Sequence, residues 1–220
     1  MTPRRYARLS AILDRRQPDL TVLLDDLQKA HNVSAVLRTC DAVGVPRVHA
    51  ISEVEAFRAK ATSAAGSQHF VDVEAHASAA DALTSLRNDG FAIWAAHLDE
   101  AAIDFRAVDY TRPTCIVLGQ EGPGPVAELI AGADGTITIP MFGAVESLNV
   151  SVANAVLLYE AQRQRVAAGL YDRPRVPAAE RQRLLFEWGY RDLARWCREK
   201  GYPYPRVGPD GGLLDELPRG

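Results

Sequence analysis

Cysteine is scarce in this chain: Cys40, Cys115 and Cys197 are the only three in 220 residues. Their odd number and wide separation exclude a disulfide framework and offer no zinc-ligand spacing. Buried thiols in a reducing cytoplasm are expected instead. Long apolar runs are missing too. None approaches the length needed to cross a bilayer, and residues 1–20 are Arg-rich without the apolar segment of a secretory signal. No membrane partner is therefore expected. No G-x-G-x-x-G follows the first predicted strand, which removes the usual argument for a dinucleotide site. Internal repeats and low-complexity tracts are also lacking.

What is present suits one soluble domain with extensions. A hydrophobic fraction of 47% is ample for a core. The net charge of −3 conceals an asymmetry. Residues 1–20 hold five Arg against two Asp, a net of +3; residues 21–161 sum to −10; residues 162–220 sum to +4. Two basic ends flank an acidic middle, an arrangement suited to gripping a polyanion.

Residues 3–16 read as an amphipathic helix. Tyr6, Leu9, Ile12 and Leu13 lie on one side, and Arg4, Arg5, Arg8, Arg15 and Arg16 crowd the rest until Pro18. Predicted strands at Thr21–Leu24, Arg47–Ile51, Phe70–Val73, Phe91–His97, Thr114–Leu118 and Thr136–Ile139 alternate with helices at Asn32–Val43, Ala79–Arg87 and Val126–Ala131. That alternation implies an α/β fold with a mainly parallel sheet covered on both faces. A small-residue stretch, ATSAAGS at Ala61–Ser67, interrupts it. Beyond Gly169 a Pro- and Arg-rich segment leads to short helices at Ala178–Trp188 and Arg191–Lys200. The expected layout is a basic N-terminal helical extension (1–18), an α/β core domain (19–165) and a basic C-terminal extension (166–220).

Three stretches carry the chemistry. In AHNVSAVLRTCDAVGV, Val33, Val36, Leu37, Cys40 and Val43 form a helical stripe, with Asn32 available as a cap and Gly44 as a stop. PTCIVLGQEGPGP runs a short apolar strand into a glycine-rich turn that bears Glu121. TITIPMFGAVESLNVSVANAVLLYEAQRQ is a strand, a small-residue loop and a helix that Ser147 or Asn149 can cap. Free N–H groups at such a helix entry, beside apolar walls, make an aperture for a ligand.

Together N-x5-R-T, LGQEG-x-G and IPM-x6-LN-x-SVA-x-A resemble the three motifs of the SpoU branch of the SPOUT methyltransferases. The likeness continues in RYAR-x-x-x-x-L-x-RRQPDLTV and LLYEAQRQR…QRLLFE-x-GY, so it covers roughly Arg5 to Pro205. It implies a deep trefoil knot in the C-terminal part of the core, which connection rules alone would not predict. The implied activity is methyl transfer from S-adenosylmethionine to a ribose 2′-oxygen. Its substrate would be guanosine 18 in the D-loop of tRNA, and it would need no metal. The alternatives are a ribosomal RNA or tRNA wobble substrate, or a catalytically silent RNA-binding knot.

The resemblance assigns roles residue by residue. Arg38, Asn32, Glu121, Ser147 and Asn149 would form the catalytic set. Arg38 would either help remove the hydroxyl proton with substrate phosphate, or hold that phosphate and stabilise the developing alkoxide. Its high pKa makes a guanidinium a poor base on its own. Ala96, Gly119, Ile139, Met141 and Leu148 would surround the donor, largely through backbone and apolar contacts. Arg4, Arg5, Arg8, Arg15, Arg16 and Arg163 are expected to meet RNA phosphates. His97, a lone histidine after a strand, is expected to be structural. This chain departs from the family turn GQEKTG by carrying Gly122 and Pro123, and Glu146 stands where glutamine is common. Both changes make the pocket less positive. The helix after Asn149 shows apolar residues on more than one stripe, including Val152, Leu158 and Tyr159, which fits a two-fold homodimer.

Overall fold

Reading along the backbone, α1 (Pro3–Leu13) leads into β1 (Leu20–Asp25), α2 (Ala30–Val43), β2 (Arg47–Ile51), β3 (Asp72–His76), α3 (Ala79–Asn88) and β4 (Ala92–Ala96). There follow β5 (Ile103–Asp104), β6 (Thr114–Leu118), α4 (Ala127–Ala131), β7 (Gly135–Thr138), α5 (Val150–Ala167), α6 (Ala178–Gly189) and α7 (Arg191–Lys200). This computed structural model describes residues 1–52, 57, 69–120, 122 and 124–217. The Ala61–Ser67 stretch, Glu121 and Pro123 lie outside the described residues. The chain divides into two units, one of residues 17–170 and one that joins residues 1–16 to 171–220.

In the larger unit seven strands pair in the order β3-β2-β1-β6-β4-β7-β5, every named pair parallel. β1 and β6 are central and buried at every position, which is why LTVLLD and TCIVL show no polar alternation. Successive side chains serve opposite faces. Leu20, Val22, Leu24, Ile116 and Leu118 pack with Val33, Val36 and Leu37 of α2 and Leu157, Leu158 and Ala161 of α5. Leu23, Cys115 and Val117 pack with Ala82, Leu83 and Leu86 of α3 and Leu129 of α4.

Several expectations shift. α2 starts at Ala30 with Lys29 at its cap position, so Asn32 sits inside the first turn; Gly44, at φ 85°, stops it as expected. β3 begins at Asp72 rather than Phe70. Its polar edge is held by tertiary partners, with Glu74 accepting from Arg47 and Ser85. β5 is only two residues long, too short to leave a periodic signal. Leu158 is fully buried against the sheet and does not belong to a second, outward face of α5. Val152 and Tyr159, about half exposed, do.

Arg165 is the main polar anchor of this unit. Fully buried at the last turn of α5, it donates to Tyr110 O (2.8 Å), Asp19 Oδ1 (2.6 Å), Asp19 O (3.0 Å), Arg112 O (3.0 Å) and Gln17 Oε1 (3.2 Å). It ties the end of the last core helix to the segments that precede β1 and β6.

In the smaller unit Leu9 and Leu13 of α1 are buried, and α1 packs against α6, whose Leu184, Leu185, Phe186 and Trp188 are buried. The helix ends at Leu13, three residues earlier than the arginine pattern suggests. Arg16 is therefore no part of an exposed basic face. It is fully buried, with its guanidinium 5.4 Å from the Trp188 ring centroid. The expectation that Arg16 meets RNA is corrected by that burial.

Candidate active site

The carboxyl ends of β4, β6 and β7 open into one cleft of about 580 Å³. Three parallel strands ending side by side place their following loops together, the usual location for a ligand in such sheets. After β6 the chain doubles back sharply. A Cβ on Gly119 would stand 2.0 Å from Gly124 C and Pro125 N, so only glycine allows this crossing. Gly122 and Gly124 adopt φ of 100° and 76° in the same turn, and Gly124 N donates to Gln120 O at 3.1 Å. The end of β1 pins the loop from below. Val126 N donates to Asp25 Oδ2 at 2.8 Å, and Gln120 Nε2 donates to Asp26 Oδ2 at 3.1 Å. Burial raises the Asp25 pKa, the Val126 bond opposes that rise, and Asp26 adds to it.

The opposite wall is the loop from Ile139 to Asn149 and the entry to α5. Asn149, not Ser147, is the cap: its Oδ1 accepts from Ser151 N at 2.9 Å. Its Nδ2 donates to Asn32 Oδ1 at 3.2 Å, joining the entries of α5 and α2. Asn32 is 3% exposed, so this bond fixes both amides.

All five residues expected around a donor, Ala96, Gly119, Ile139, Met141 and Leu148, line the cleft, as do Ser147 and Asn149. Asn32 reaches it through Asn149. Arg38 is not among the lining residues. It stands exposed on α2, six residues beyond Asn32, with no hydrogen bond or ion pair among the described residues. Glu121 lies outside the described residues. Arg4, Arg8 and Arg15 are exposed; Arg5 is exposed but donates to Trp188 O at 3.0 Å. Arg163 is held by both oxygens of Glu160, at 2.8 and 2.7 Å, which lowers the Glu160 pKa.

His97, expected from the sequence to be structural, stands at the cleft. It lines the cleft with its ring against Gly124, where a Cβ would come within 3.2 Å of Nδ1. Its place directly after an apolar strand was the available signal.

The lining fits a sulfonium nucleoside. Leu118, Ile139 and Leu148 offer apolar faces to a purine, the glycine turn offers bare backbone to its edge, and the Glu146 carboxylate complements positive charge. Elsewhere in the described residues His49, Glu74 and His76 converge on β2 and β3. Their geometry is that of a hydrogen-bonded pair. His49 Nδ1 and His76 Nε2 are 2.9 Å apart, with centroids 5.2 Å apart and planes within 14°, so the rings meet end to end. Those two nitrogens face each other rather than a shared third point, and Arg47 already holds Glu74 at 3.0 Å. Burial depresses the His49 pKa to about 4.

The profile of the SpoU rRNA Methylase family matches residues 19–159, and that of the SpoU rRNA methylase C-terminal region matches residues 163–216. A tRNA (guanosine(18)-2′-O)-methyltransferase of Escherichia coli strain K12 is 54% identical over 215 residues, covering 97% of this chain and 94% of that protein. The crystal structure of the A. aeolicus TrmH/SpoU tRNA modifying enzyme superposes with a TM-score of 0.77 at 39% identity, covering 86% of this chain and 97% of that one. An AdoMet-bound rRNA methyltransferase from Sinorhizobium meliloti gives a TM-score of 0.56 at 27% identity, covering 68% of this chain and 58% of the other.

Proposed function

This chain belongs to the SpoU methylase family, a family of S-adenosylmethionine-dependent methyltransferases, and we propose that it methylates the ribose 2′-oxygen of guanosine 18 in the D-loop of tRNA. The observation that carries this reading is the match to the tRNA (guanosine(18)-2′-O)-methyltransferase, at 54% identity across nearly the whole chain. The cleft supports it with a donor-shaped lining beside the linked Asn32 and Asn149. The knotted C-terminal half implied by the family resemblance belongs to the same reading.

S-adenosylmethionine supplies an electrophilic methyl group on a sulfonium sulfur. Ala96, Gly119, Ile139, Met141 and Leu148 hold it, with Glu146 on the rim favouring its positive charge. Asn149, locked by its Ser151 and Asn32 contacts, presents a fixed amide beside Ser147 at the mouth. The fixed amide and the Ser147 hydroxyl beside it are placed to orient a ribose for in-line attack, which supplies a large share of the rate. Arg38, its fork unpaired among the described residues, would hold the substrate phosphate, whose oxygen can accept the 2′-proton, and stabilise the negative charge developing on the 2′-oxygen as it takes the methyl group and S-adenosylhomocysteine leaves. The transfer as proposed uses no metal ion.

The exposed arginines Arg4, Arg8 and Arg15 of the smaller unit are suited to phosphates elsewhere on the tRNA. A cytoplasmic location follows from that substrate. Incubating tRNA with protein and donor, then digesting it for nucleoside mass spectrometry, is expected to give 2′-O-methylguanosine mapped to position 18. Binding to tRNA should weaken steeply between 50 and 200 mM salt, by roughly 10³-fold if six phosphates are contacted. A product mapped to ribosomal RNA or the wobble nucleotide would reassign the substrate. No product would leave an RNA-binding scaffold.

The enzyme is further proposed to work as a two-fold homodimer. Val152, Tyr159 and Val166 recur every seven residues along α5 and are about half exposed, a stripe suited to a partner helix. Sedimentation should give about twice the 24.0 kDa chain mass. Tyr159→Glu should halve that mass, and a native monomer would refute the dimer.

A further inference from the structure

A purine nucleoside brought to this cleft needs a surface for its base as well as a grip on its ribose. Among the described residues lining the cleft there is no phenyl, phenol or indole ring. The aromatic residue at its mouth is Phe142, next in the chain to the lining residue Met141 and five before Ser147. Phe142 is 98% exposed, the most exposed large apolar side chain among the described residues. Gly143 beside it has open space where a Cβ would stand, so nothing crowds the ring on that side. Val145, on the same loop, is 61% exposed, and Leu98, on the facing strand end, is 67% exposed. Bare apolar side chains thus stand beside the polar Glu146 and Ser147 of the cleft, and Phe142 is the one carbocyclic ring among them.

A benzyl side chain wholly in water, with Val145 on the same loop and Leu98 also bare, offers apolar surface whose covering is favourable. Whatever covers Phe142 lies within one residue of the donor wall. In the reaction proposed above, that place belongs to the nucleoside being methylated. Its base must leave its stack to bring the ribose to the donor, and an unstacked base gains most from an aromatic face. We infer that Phe142 stacks on the guanine base of the nucleoside whose ribose is methylated, holding the sugar over the cleft. The inference rests on the methyl transfer proposed above. It adds a substrate-contacting residue on the base side that sets ribose orientation.

Stacking requires a π face but no particular polar group, so ring size decides the outcome. Phe142→Ala should lower kcat/KM for tRNA by roughly 5- to 150-fold, the range for loss of one base–aromatic stack. Phe142→Leu, which keeps apolar bulk without a ring, should fall nearly as far, whereas Phe142→Trp and Phe142→Tyr should restore most of the loss. Donor affinity, measured by calorimetry without RNA, should stay within about twofold of the parent in all four, because the donor wall is untouched. Equal activity of the Ala and parent proteins on tRNA would overturn the inference while leaving the methyl transfer standing. Loss of activity accompanied by a halved sedimentation mass would also overturn it, placing a second copy of the chain on the ring. Full rescue by Leu would reduce the ring to simple apolar bulk. A parent protein that yields no 2′-O-methylguanosine would sink the transfer and this inference together.

Discussion

Arg38→Ala is expected to reduce single-turnover methyl transfer by more than about 100-fold, the scale for losing a charged group that stabilises a developing oxyanion. Donor affinity should remain within about twofold, because no lining residue of the cleft comes from that part of α2. Arg38→Lys should fail as well. A single ammonium cannot reproduce a planar fork that grips phosphate through two bonds. The side chain is exposed and has no partner among the described residues, so its removal opens no cavity and breaks no core contact. A loss of rate therefore reports on chemistry, not on folding. Retention of more than about a tenth of the rate would cap its contribution near 1.4 kcal/mol and remove it from the catalytic set.

Arg165→Met should act in the opposite way, through stability. The guanidinium satisfies three backbone carbonyls and two side chains at full burial. Methionine fills much of the volume but leaves those acceptors, including the Asp19 carboxylate, without their donor. Breaking a buried pair from one side typically costs about 3–5 kcal/mol. Urea unfolding should show that loss as a lower midpoint with unchanged slope. Arg165→Lys should recover only part of it, since one ammonium cannot reach five acceptors on separate segments. A loss below about 1 kcal/mol for Met would show the cluster to be worth no more than a surface pair.

The two arginines also show where reading the sequence works and where it stops. The alternation of strands and helices, the mainly apolar stretches of β1 and β6, and the glycine stop of α2 are local signals, and each matches the structure. Burial of a charged residue is not local. Arg16 and Arg165 sit in Arg-rich segments that look solvated. Only tertiary partners, Trp188 for one and Asp19 with three carbonyls for the other, make their burial affordable. Leu158 fails similarly: the sequence groups it with Val152 and Tyr159 on an outward stripe, while the turn of α5 over the sheet takes it into the core.

The cleft was legible mainly through motif resemblance. Its walls are backbone and small or aliphatic side chains, which leave little trace in hydrophobic periodicity. The polar link between Asn32 and Asn149 spans 117 residues, beyond any spacing rule. Asn32 seemed a helix cap because caps are the common use of asparagine near a helix start. Its actual position, within the first turn, frees the amide to hold Asn149 instead.

The smaller unit is assembled from both ends of the chain, and that imposes an order on biosynthesis. α1 is made first, yet α6, the helix it packs against, comes late in the chain. At roughly 5–20 residues per second, the intervening stretch of about 170 residues keeps that helix waiting for some 9–35 s. All seven strands are translated during this delay. The strands that end at the cleft are therefore all synthesised before the basic unit can close, because its last helices follow them in the chain.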